Sequence, residues 1–303
     1  MQRPLLVSDL DGTLLNSAKL ITPLTIGVLN DFIADGGLFS VATARTAYGC
    51  DQLLQGLRLR EPGVVMNGAA LYSFADRAYL HVAALPSVAI ETVAEIVRAA
   101  GAGAFIFAVR DGVLRLGHAR AEDLEWTQYN SRRASEALAP IVHLGFDNWL
   151  RLGEVIYLAI AGDDHQLAAV ARALAGIPHL KLHPYRNVYT NRDCLEISSD
   201  QAGKEAAVQR IKEMVGADGL IVFGDNHNDV GMMRIANLAF APASGLPEAI
   251  AEADEVIGTN DDDGVAEAVQ HHGAAWLPRV GAESGDSENL AEPKPLRRTS
   301  SGD

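Results

Sequence analysis

Two acidic residues directly behind a short apolar segment are the first feature of this sequence that could carry chemistry. Asp9 and Asp11 follow the run Leu5-Leu6-Val7, and Gly12 and Thr13 come straight after them. Two neighbouring carboxylates repel each other unless a positive charge offsets them. Mg²⁺ is suited to this task, because it binds carboxylate oxygens and substrate phosphate together. The pattern therefore favours a magnesium site over the alternative of a solvated acidic turn.

The apolar segment that precedes these acids predicts a buried strand, because it is short, continuous and rich in branched aliphatic residues. In an open parallel sheet, ligands bind beyond the carboxyl ends of the strands, which is where the two acids fall. If the extended backbone continues through Asp11, the side chains of Asp9 and Asp11 point to the same side. Gly12 then allows the chain to turn away from the sheet edge.

Further polar residues stand at the ends of two other predicted strands. Thr43 follows the strand at 38–42, and Asp225 and Asp229 follow the strand at 220–223. Lys204 begins a predicted helix between them. Together with the N-terminal acids, these residues supply a nucleophile, a proton donor, a metal site and phosphate ligands, which is the inventory for phosphoryl transfer. Each also has a simpler interpretation: Thr43 or Asp229 could cap a helix, and Lys204 could be solvated.

The elements that must position these residues alternate between strand and helix, which predicts an α/β fold with a doubly wound, parallel-sheet (Rossmann-like) core. Between about residues 85 and 190, hairpins and amphipathic helices predict an inserted α+β cap. We therefore expect a core domain at 1–84 and 191–280, with parallel strands resuming at Leu195–Ser198. Separate cap strands are expected near 180–183 and 187–190. The stretch 281–303, rich in Ser, Glu, Pro and Gly, predicts a disordered tail.

Composition narrows the class of protein. The chain has 303 residues, 48% of them hydrophobic, and a formal net charge of −14. The acidic balance argues against nucleic acid or an anionic membrane as a general partner, since both require basic patches. Two distant cysteines, no leader and no apolar run of membrane-spanning length predict a cytoplasmic protein. The oligomeric state is left open.

The order of these motifs along the chain is similar to that of a known family. Asp-x-Asp near the N-terminus, then Thr, then Lys, then Gly-Asp-x-x-x-Asp resembles the four motifs of the haloacid dehalogenase-like hydrolase superfamily, most of whose members are phosphohydrolases. The α+β insert between the second and third motifs resembles the cap of the Cof-type (type IIB) phosphatases. The resemblance covers roughly residues 3–276.

The resemblance implies a role for each motif residue. Asp9 would be the nucleophile that forms an aspartyl-phosphate, and Asp11 would act as general acid and base. Mg²⁺ would lie between the Asp9 carboxylate, the Asp11 backbone carbonyl and the Asp225 carboxylate. The remaining motif residues would hold a metal-bound water or bind the phosphoryl oxygens; these are Asp229 for the water, and Thr43, Lys204 and Asn228 for the phosphoryl group.

Two motifs depart from the usual family pattern. The second reads Thr43-Ala44-Arg45, where Gly is common in the middle. The third has Gly203-Lys204-Glu205, where Ser-Lys-Gly is more usual, and this affects the shape of the loop more than the role of Lys204. An Asn-Gly pair similar to Asn67-Gly68 recurs near the site in Cof-type members.

The sequence thus predicts a phosphoric monoester hydrolase, a Mg²⁺-dependent phosphatase acting on a small phosphorylated metabolite. The alternatives are a phosphomutase of the same fold and, with less support, a non-catalytic phospho-aspartate switch. Selection of the substrate is expected from cap residues at 183–187, where Arg186 could meet a second anionic group. The residues support no choice among sugar phosphates, polyol phosphates, phosphorylated cofactors and nucleotides.

Overall fold

The computed structural model of the protein describes residues 3–120, 141–187 and 192–278. The predicted tail at 281–303 lies outside these residues. The strands within the described ranges are β1 (Pro4–Ser8), β2 (Leu38–Val41), β3 (Gly63–Val65), β4 (Ala70–Ser73), β5 (Ala78–Val82), β6 (Gly103–Arg110), β7 (Val113–His118), β8 (Val142–His143), β9 (Glu154–Ala161), β10 (Leu180–Asn187), β11 (Arg192–Ser199), β12 (Gly219–Phe223), β13 (Leu238–Pro242) and β14 (Glu255–Ile257).

The helices in the same ranges are short. They are α1 (Pro23–Ala34), α2 (Ala47–Asp51), α3 (Ser87–Ala99), α4 (Asp164–Leu174), α5 (Lys204–Met214), α6 (Val230–Ile235), α7 (Pro247–Glu252) and α8 (Gly264–Trp276). Thr22 caps α1 by accepting a hydrogen bond from the backbone N–H of Thr25, and Pro23 occupies the first helical position. Within the described residues, none of the helices combines the length and the apolar character that a membrane crossing requires.

The core sheet has five parallel strands in the order β14-β13-β12-β1-β2. Side chains that alternate along β1 reach both faces of this sheet. Leu6 belongs to a cluster with Phe32 of α1 and Trp276 of α8, whereas Val7 belongs to a cluster with Val208 of α5. Since helices cover both faces, every residue of β1 is buried. The predicted α/β doubly wound core is confirmed.

The cap sheet has six strands in the order β10-β11-β9-β6-β7-β8. Its pairs are antiparallel except for β7 with β8. Residues of α3 and α4 pack against it in a second hydrophobic cluster, through Val93, Val97, Leu167 and Val170. The predicted α+β insert is therefore confirmed as a region with a sheet and a core of its own.

The end of the insert differs from the sequence prediction. The strand predicted near 180–183 is longer in the structure, where β10 runs to Asn187, and residues 188–190 of the next predicted strand lie outside the described residues. The predicted return to the parallel sheet at Leu195–Ser198 is wrong, because β11 lies in the cap sheet between β10 and β9. Leu195 and Ile197 are buried while Cys194 and Glu196 are only partly so. This alternation is typical of an antiparallel strand with one covered face.

β4 and β5 form a hairpin, which pairs antiparallel and extends a small sheet from β3. β3 continues the line of the core sheet through a single parallel bridge between Ala42 and Val64. The limits of the domains at 84 and 190 remain a prediction. Because β11 belongs to the cap sheet, we place the second limit near Ser199 instead.

Candidate active site

The carboxyl ends of three adjacent core strands bring the candidate residues together. Asp9 follows β1, Thr43 lies two residues after β2, and Asp225 lies two residues after β12. The backbone N–H of Asp9 still donates to the carbonyl of Phe223 at 2.9 Å, so the ladder continues to this point. The register of the parallel sheet therefore fixes the distance between motifs that are more than 200 residues apart in the chain.

Lys204 is buried beneath this edge of the sheet and links two of the acids. Its Nζ lies 2.5 Å from Oδ1 of Asp9 and 2.7 Å from Oδ1 of Asp229. Although burial opposes it, the two carboxylates raise the pKa of Lys204 to about 12. Burial in turn raises the pKa of Asp9 well above its usual range, with the Lys204 ammonium acting against this rise. Lys204 is thus a fixed positive charge next to Asp9.

The loop that carries Lys204 is held close by a glycine. Gly68 has a left-handed φ of +90°, and a Cβ at this position would lie 2.2 Å from the backbone oxygen of Gly203. Only glycine satisfies both conditions without moving the backbone. The Asn67-Gly68 pair is therefore more than a surface turn, because Gly68 packs against the backbone of Gly203, directly before Lys204 begins α5.

Both carboxylate oxygens of Asp229 are occupied by the protein. Oδ1 accepts the hydrogen bond from Lys204, and Oδ2 accepts from the backbone N–H groups of Asp225 at 3.1 Å and Asn226 at 3.0 Å. Asp229 is also the N-cap residue of α6, as the alternative interpretation predicts, but its side chain makes no capping hydrogen bond there. Asp229 therefore positions Lys204 and the loop that presents Asp225.

A cluster of three carboxylates at this edge could hold a metal ion. Oxygen atoms of Asp9, Asp225 and Asp229 lie within 4.8 Å of one another. The hydroxyl of Thr13 donates to Oδ1 of Asp225 at 2.8 Å and orients that side chain. Gly12, with a φ of +94°, leaves room for it, because a Cβ there would lie 2.4 Å from Oδ2 of Asp225. An all-oxygen set of anionic donors fits Mg²⁺.

The carboxylate of Asp11 lies outside this cluster. β1 ends at Ser8, so the extended backbone that would turn Asp9 and Asp11 to the same side does not continue. Arg45 instead donates two hydrogen bonds to the Asp11 carboxylate, from Nε at 2.6 Å and from Nη2 at 2.7 Å. Nζ of Lys19 lies 3.0 Å from Oδ1 of Asp11. Burial opposes them, yet these two partners lower the pKa of Asp11. Its charge is thus offset by side chains of the protein.

Sequence reasoning did not assign a role to Arg45, Lys19 or Thr13. For Arg45 and Thr13 the available signal was a place within the first two motifs, since Arg45 directly follows Thr43-Ala44 and Thr13 follows Gly12. Lys19 lies outside both motifs. Their partners could not be identified, because a motif gives no side-chain direction.

Thr43 is almost fully buried, and its hydroxyl accepts from the backbone N–H of Arg45 at 3.1 Å. It does not cap a helix, since α2 is capped by Thr46. Asn228 is exposed and donates from Nδ2 to Oδ1 of Asn67 at 2.9 Å. Asn67 and Asn228 also line a cavity of about 280 Å³ together with Lys204, beside the acid cluster.

The cap contributes the opposite side of this cavity. Lys181 and His183 of β10 line it, and Nε2 of His183 contacts the hydroxyl of Ser198 at 3.0 Å. The side chains at 185–187, including the Arg186 candidate, lie outside the part of the chain whose side chains the structure describes.

Comparison with known proteins now identifies the family. The family model for haloacid dehalogenase-like hydrolases matches residues 6–269. The chain belongs to this haloacid dehalogenase-like family. The match includes every candidate residue described above, from Asp9 to Asp229.

Two relatives of this haloacid dehalogenase-like chain are similar over nearly their whole length. The 5-amino-6-(5-phospho-D-ribitylamino)uracil phosphatase YitU of Bacillus subtilis is 24% identical over 89% of this chain and 98% of its own. The pyridoxal phosphate phosphatase YbhA of Escherichia coli is 24% identical over 87% and 96%. The solved structure of a subclass IIB sugar phosphatase of the superfamily aligns with a TM-score of 0.67, at 21% identity, over 89% and 99%.

These matches confirm three of the predictions from sequence. The membership of the haloacid dehalogenase-like family, the Cof-type relationship and the class of enzyme, a phosphatase-type hydrolase, agree with the family model and the relatives. The assignment of individual roles to Asp9, Asp11, Thr43, Lys204 and their neighbours remains a prediction.

Proposed function

We propose that this enzyme is a Mg²⁺-dependent phosphatase that hydrolyses a small phosphorylated metabolite through an aspartyl-phosphate on Asp9. The observation that supports this most is the environment of Asp9. Its carboxylate is buried, contacts the Lys204 ammonium at 2.5 Å and shares a cluster with Asp225 and Asp229. A carboxylate in this position can attack a phosphoryl group whose negative charge is offset on two sides.

In the first step, an Asp9 oxygen forms a bond to phosphorus while the bond between phosphorus and the leaving-group oxygen breaks. Asp11, in its protonated form, gives a proton to that oxygen. In the second step, Asp11 takes a proton from a water molecule, which attacks phosphorus and releases phosphate with the Asp9 carboxylate restored. Lys204, Thr43 and Asn228 bind the phosphoryl oxygens.

The residues that would hold Mg²⁺ are the Asp9 and Asp225 carboxylates and the Asp11 backbone carbonyl. Asp229 would not bind the ion directly, since both of its oxygens already accept hydrogen bonds from the protein. When bound, the ion supplies positive charge that offsets the repulsion between Asp9 and the phosphate. Thr13 keeps Asp225 turned toward this place.

A small substrate agrees with the volume of the cavity and with the net charge of the chain. The adjacent cavity measures about 280 Å³, and the formal net charge of −14 disfavours a nucleic acid chain. Two relatives carry names of phosphatases for small molecules, a phosphorylated ribitylaminouracil and pyridoxal phosphate. A cytoplasmic location remains a prediction.

Release of inorganic phosphate tests this proposal. We expect the purified chain to hydrolyse p-nitrophenyl phosphate and members of a panel of phosphorylated metabolites with Mg²⁺ present, and to lose this activity in excess EDTA. No bisphosphate primer is needed for a phosphatase, whereas a phosphomutase requires one. Equal rates with and without Mg²⁺, or no release from any compound, would refute the proposal.

Removing the hydroxyl that orients Asp225 is expected to weaken Mg²⁺ binding. In Thr13→Val, the 2.8 Å hydrogen bond to Asp225 is lost with little change in volume. The Mg²⁺ concentration for half-maximal activity should rise by about 10-fold or more. Thr92→Val on α3, whose hydroxyl donates to the backbone carbonyl of Val88, is the control and should leave this concentration unchanged. An unaltered Mg²⁺ requirement in Thr13→Val would contradict the role of Thr13.

Neutralising Arg45 is expected to change the pH dependence of the reaction. The pKa of Asp11 is lowered in spite of burial, because Arg45 and Lys19 stabilise its ionised form. Arg45→Gln removes the larger of these two influences, so the pKa of Asp11 should rise. The limb of the kcat/KM profile that reports Asp11 in the free enzyme should then move to higher pH. Arg58→Gln, an exposed arginine, should leave the profile in place. Movement to lower pH would show that Arg45 does not act on Asp11.

A further inference from the structure

The cavity between the core and the cap lies next to the proposed phosphoryl site and shares Lys204 with it. Lys204 lines it and also contacts Asp9, so a phosphate ester held at Asp9 would extend its leaving group into this space. Lys181 and His183 form the cap side, and both side chains can donate hydrogen bonds. The core side includes one acidic residue, Glu205.

Glu205 is available to a ligand. It follows Lys204 in the first turn of α5 and is only partly buried. Within the described part of the chain, no donor forms a hydrogen bond or an ion pair with its carboxylate. Its two oxygens therefore keep their capacity to accept hydrogen bonds from a leaving group that enters this cavity.

Two glycines make room for this carboxylate. A Cβ added at Gly203 would lie 2.7 Å from Oε1 of Glu205, and a Cβ added at Gly231 would lie 2.8 Å from Oε2. Neither backbone requires glycine for its conformation: φ of Gly203 is −179° and Gly231 lies within α6. The space left by the absent side chains thus accommodates the Glu205 carboxylate. This residue stands where glycine usually follows the motif lysine, so the carboxylate is a feature of this chain.

We infer that Glu205 determines which leaving groups the enzyme accepts. It accepts a hydrogen bond from a hydroxyl or ammonium group close to the phosphate, and it repels a leaving group with a second anionic group at the same place. The inference rests on the proposed phosphatase function and names the substrate class: phosphate esters of alcohols with a neighbouring hydroxyl or amino group.

A different role for Glu205 would be structural. An acidic residue in the first turn stabilises a helix through the macrodipole, and its loss would then affect all substrates alike. Selection of the leaving group, by contrast, changes the ratio between substrates. The test must therefore compare esters that differ in one group only.

Four esters with the same two-carbon frame provide this comparison: ethyl phosphate, 2-hydroxyethyl phosphate, phosphoethanolamine and phosphoglycolate. For the unmodified enzyme, kcat/KM should be higher for the hydroxyl and ammonium esters than for ethyl phosphate, and lower for phosphoglycolate. In Glu205→Gln, the ratio of phosphoethanolamine to phosphoglycolate should fall by about 10-fold or more, because the charge is lost. The 2-hydroxyethyl ester should change less, since the amide oxygen still accepts a hydrogen bond.

Gly231→Ala tests the same idea while keeping the acid, because the new Cβ would displace the Glu205 carboxylate. The ratio should shift in the same direction as in Glu205→Gln. Glu248→Gln, which removes an exposed acid from the first turn of α7, should leave the ratio unchanged.

The possible results distinguish a failure of the proposed role of Glu205 from a failure of the proposed phosphatase function. If the four esters lose activity by one common factor in Glu205→Gln, the selection by Glu205 is refuted and the phosphatase function stands. If the unmodified enzyme releases phosphate neither from these four esters nor from p-nitrophenyl phosphate, the proposed function is refuted, and this inference is refuted with it.

Discussion

Replacing Asp9 by Asn is expected to lower phosphate release by roughly 10⁴-fold or more, because the nucleophile is lost. The fold should persist. The amide oxygen can still accept the hydrogen bond from Lys204, which now lies 2.5 Å from Asp9. Burial raises the pKa of Asp9, because it disfavours the charged form, so a neutral side chain of the same shape avoids the cost of burying a charge.

Steady-state kinetics and urea unfolding of the same preparation measure both parts of this prediction. Asp31→Asn, on the exposed side of α1, is the matched control and should retain full activity. If Asp9→Asn kept activity within tenfold of the unmodified enzyme, Asp9 could not be the nucleophile. Loss of the folded state would instead show that the Asp9 charge is needed for stability.

Replacing Lys204 by Met is expected to affect stability as well as activity. The ammonium is the cation that lies between the buried carboxylates of Asp9 and Asp229. Its removal leaves both charges without this partner, and we expect the free energy of unfolding to fall by about 3–5 kcal/mol. The pKa of Lys204 is raised to about 12. Its contribution to the free energy of unfolding is therefore fully present below the usual lysine pKa, and it is lost as the pH rises through the raised pKa of the folded protein.

A second substitution shows whether unpaired charge is the cause. The double variant Lys204→Met/Asp229→Asn has one buried carboxylate without a cation instead of two. Part of the lost free energy of unfolding should therefore return, although the activity does not. Lys212→Met, near the other end of α5, should change the free energy of unfolding by no more than about 0.5 kcal/mol. A Lys204→Met protein as stable as the original would show that the two acids do not depend on this ammonium.

Several properties of the enzyme were determined by the sequence alone. The core strands follow from continuous apolar runs, and the start of α1 follows from Thr22 and Pro23, because these signals act within a few residues. The position of Asp9, Thr43 and Asp225 at one edge follows too, since the carboxyl ends of parallel strands share an edge. The family resemblance rested on the same residues.

The tertiary structure decided what local patterns could not. β11 carries apolar residues that would suit either sheet, and only the packing of the cap assigns it to the antiparallel one. The partners of Asp11 were equally hidden, since an acidic residue can pair with any cation that the fold brings near, and here these are Arg45 and Lys19.

The same reason applies to the contact between Asn67 and Asn228, which are 161 residues apart, and to the space that Gly203 and Gly231 leave for Glu205. Sequence patterns report on neighbours along the chain. Side-chain contacts between distant segments depend on how the packed elements are oriented, and that is settled only when the whole core forms.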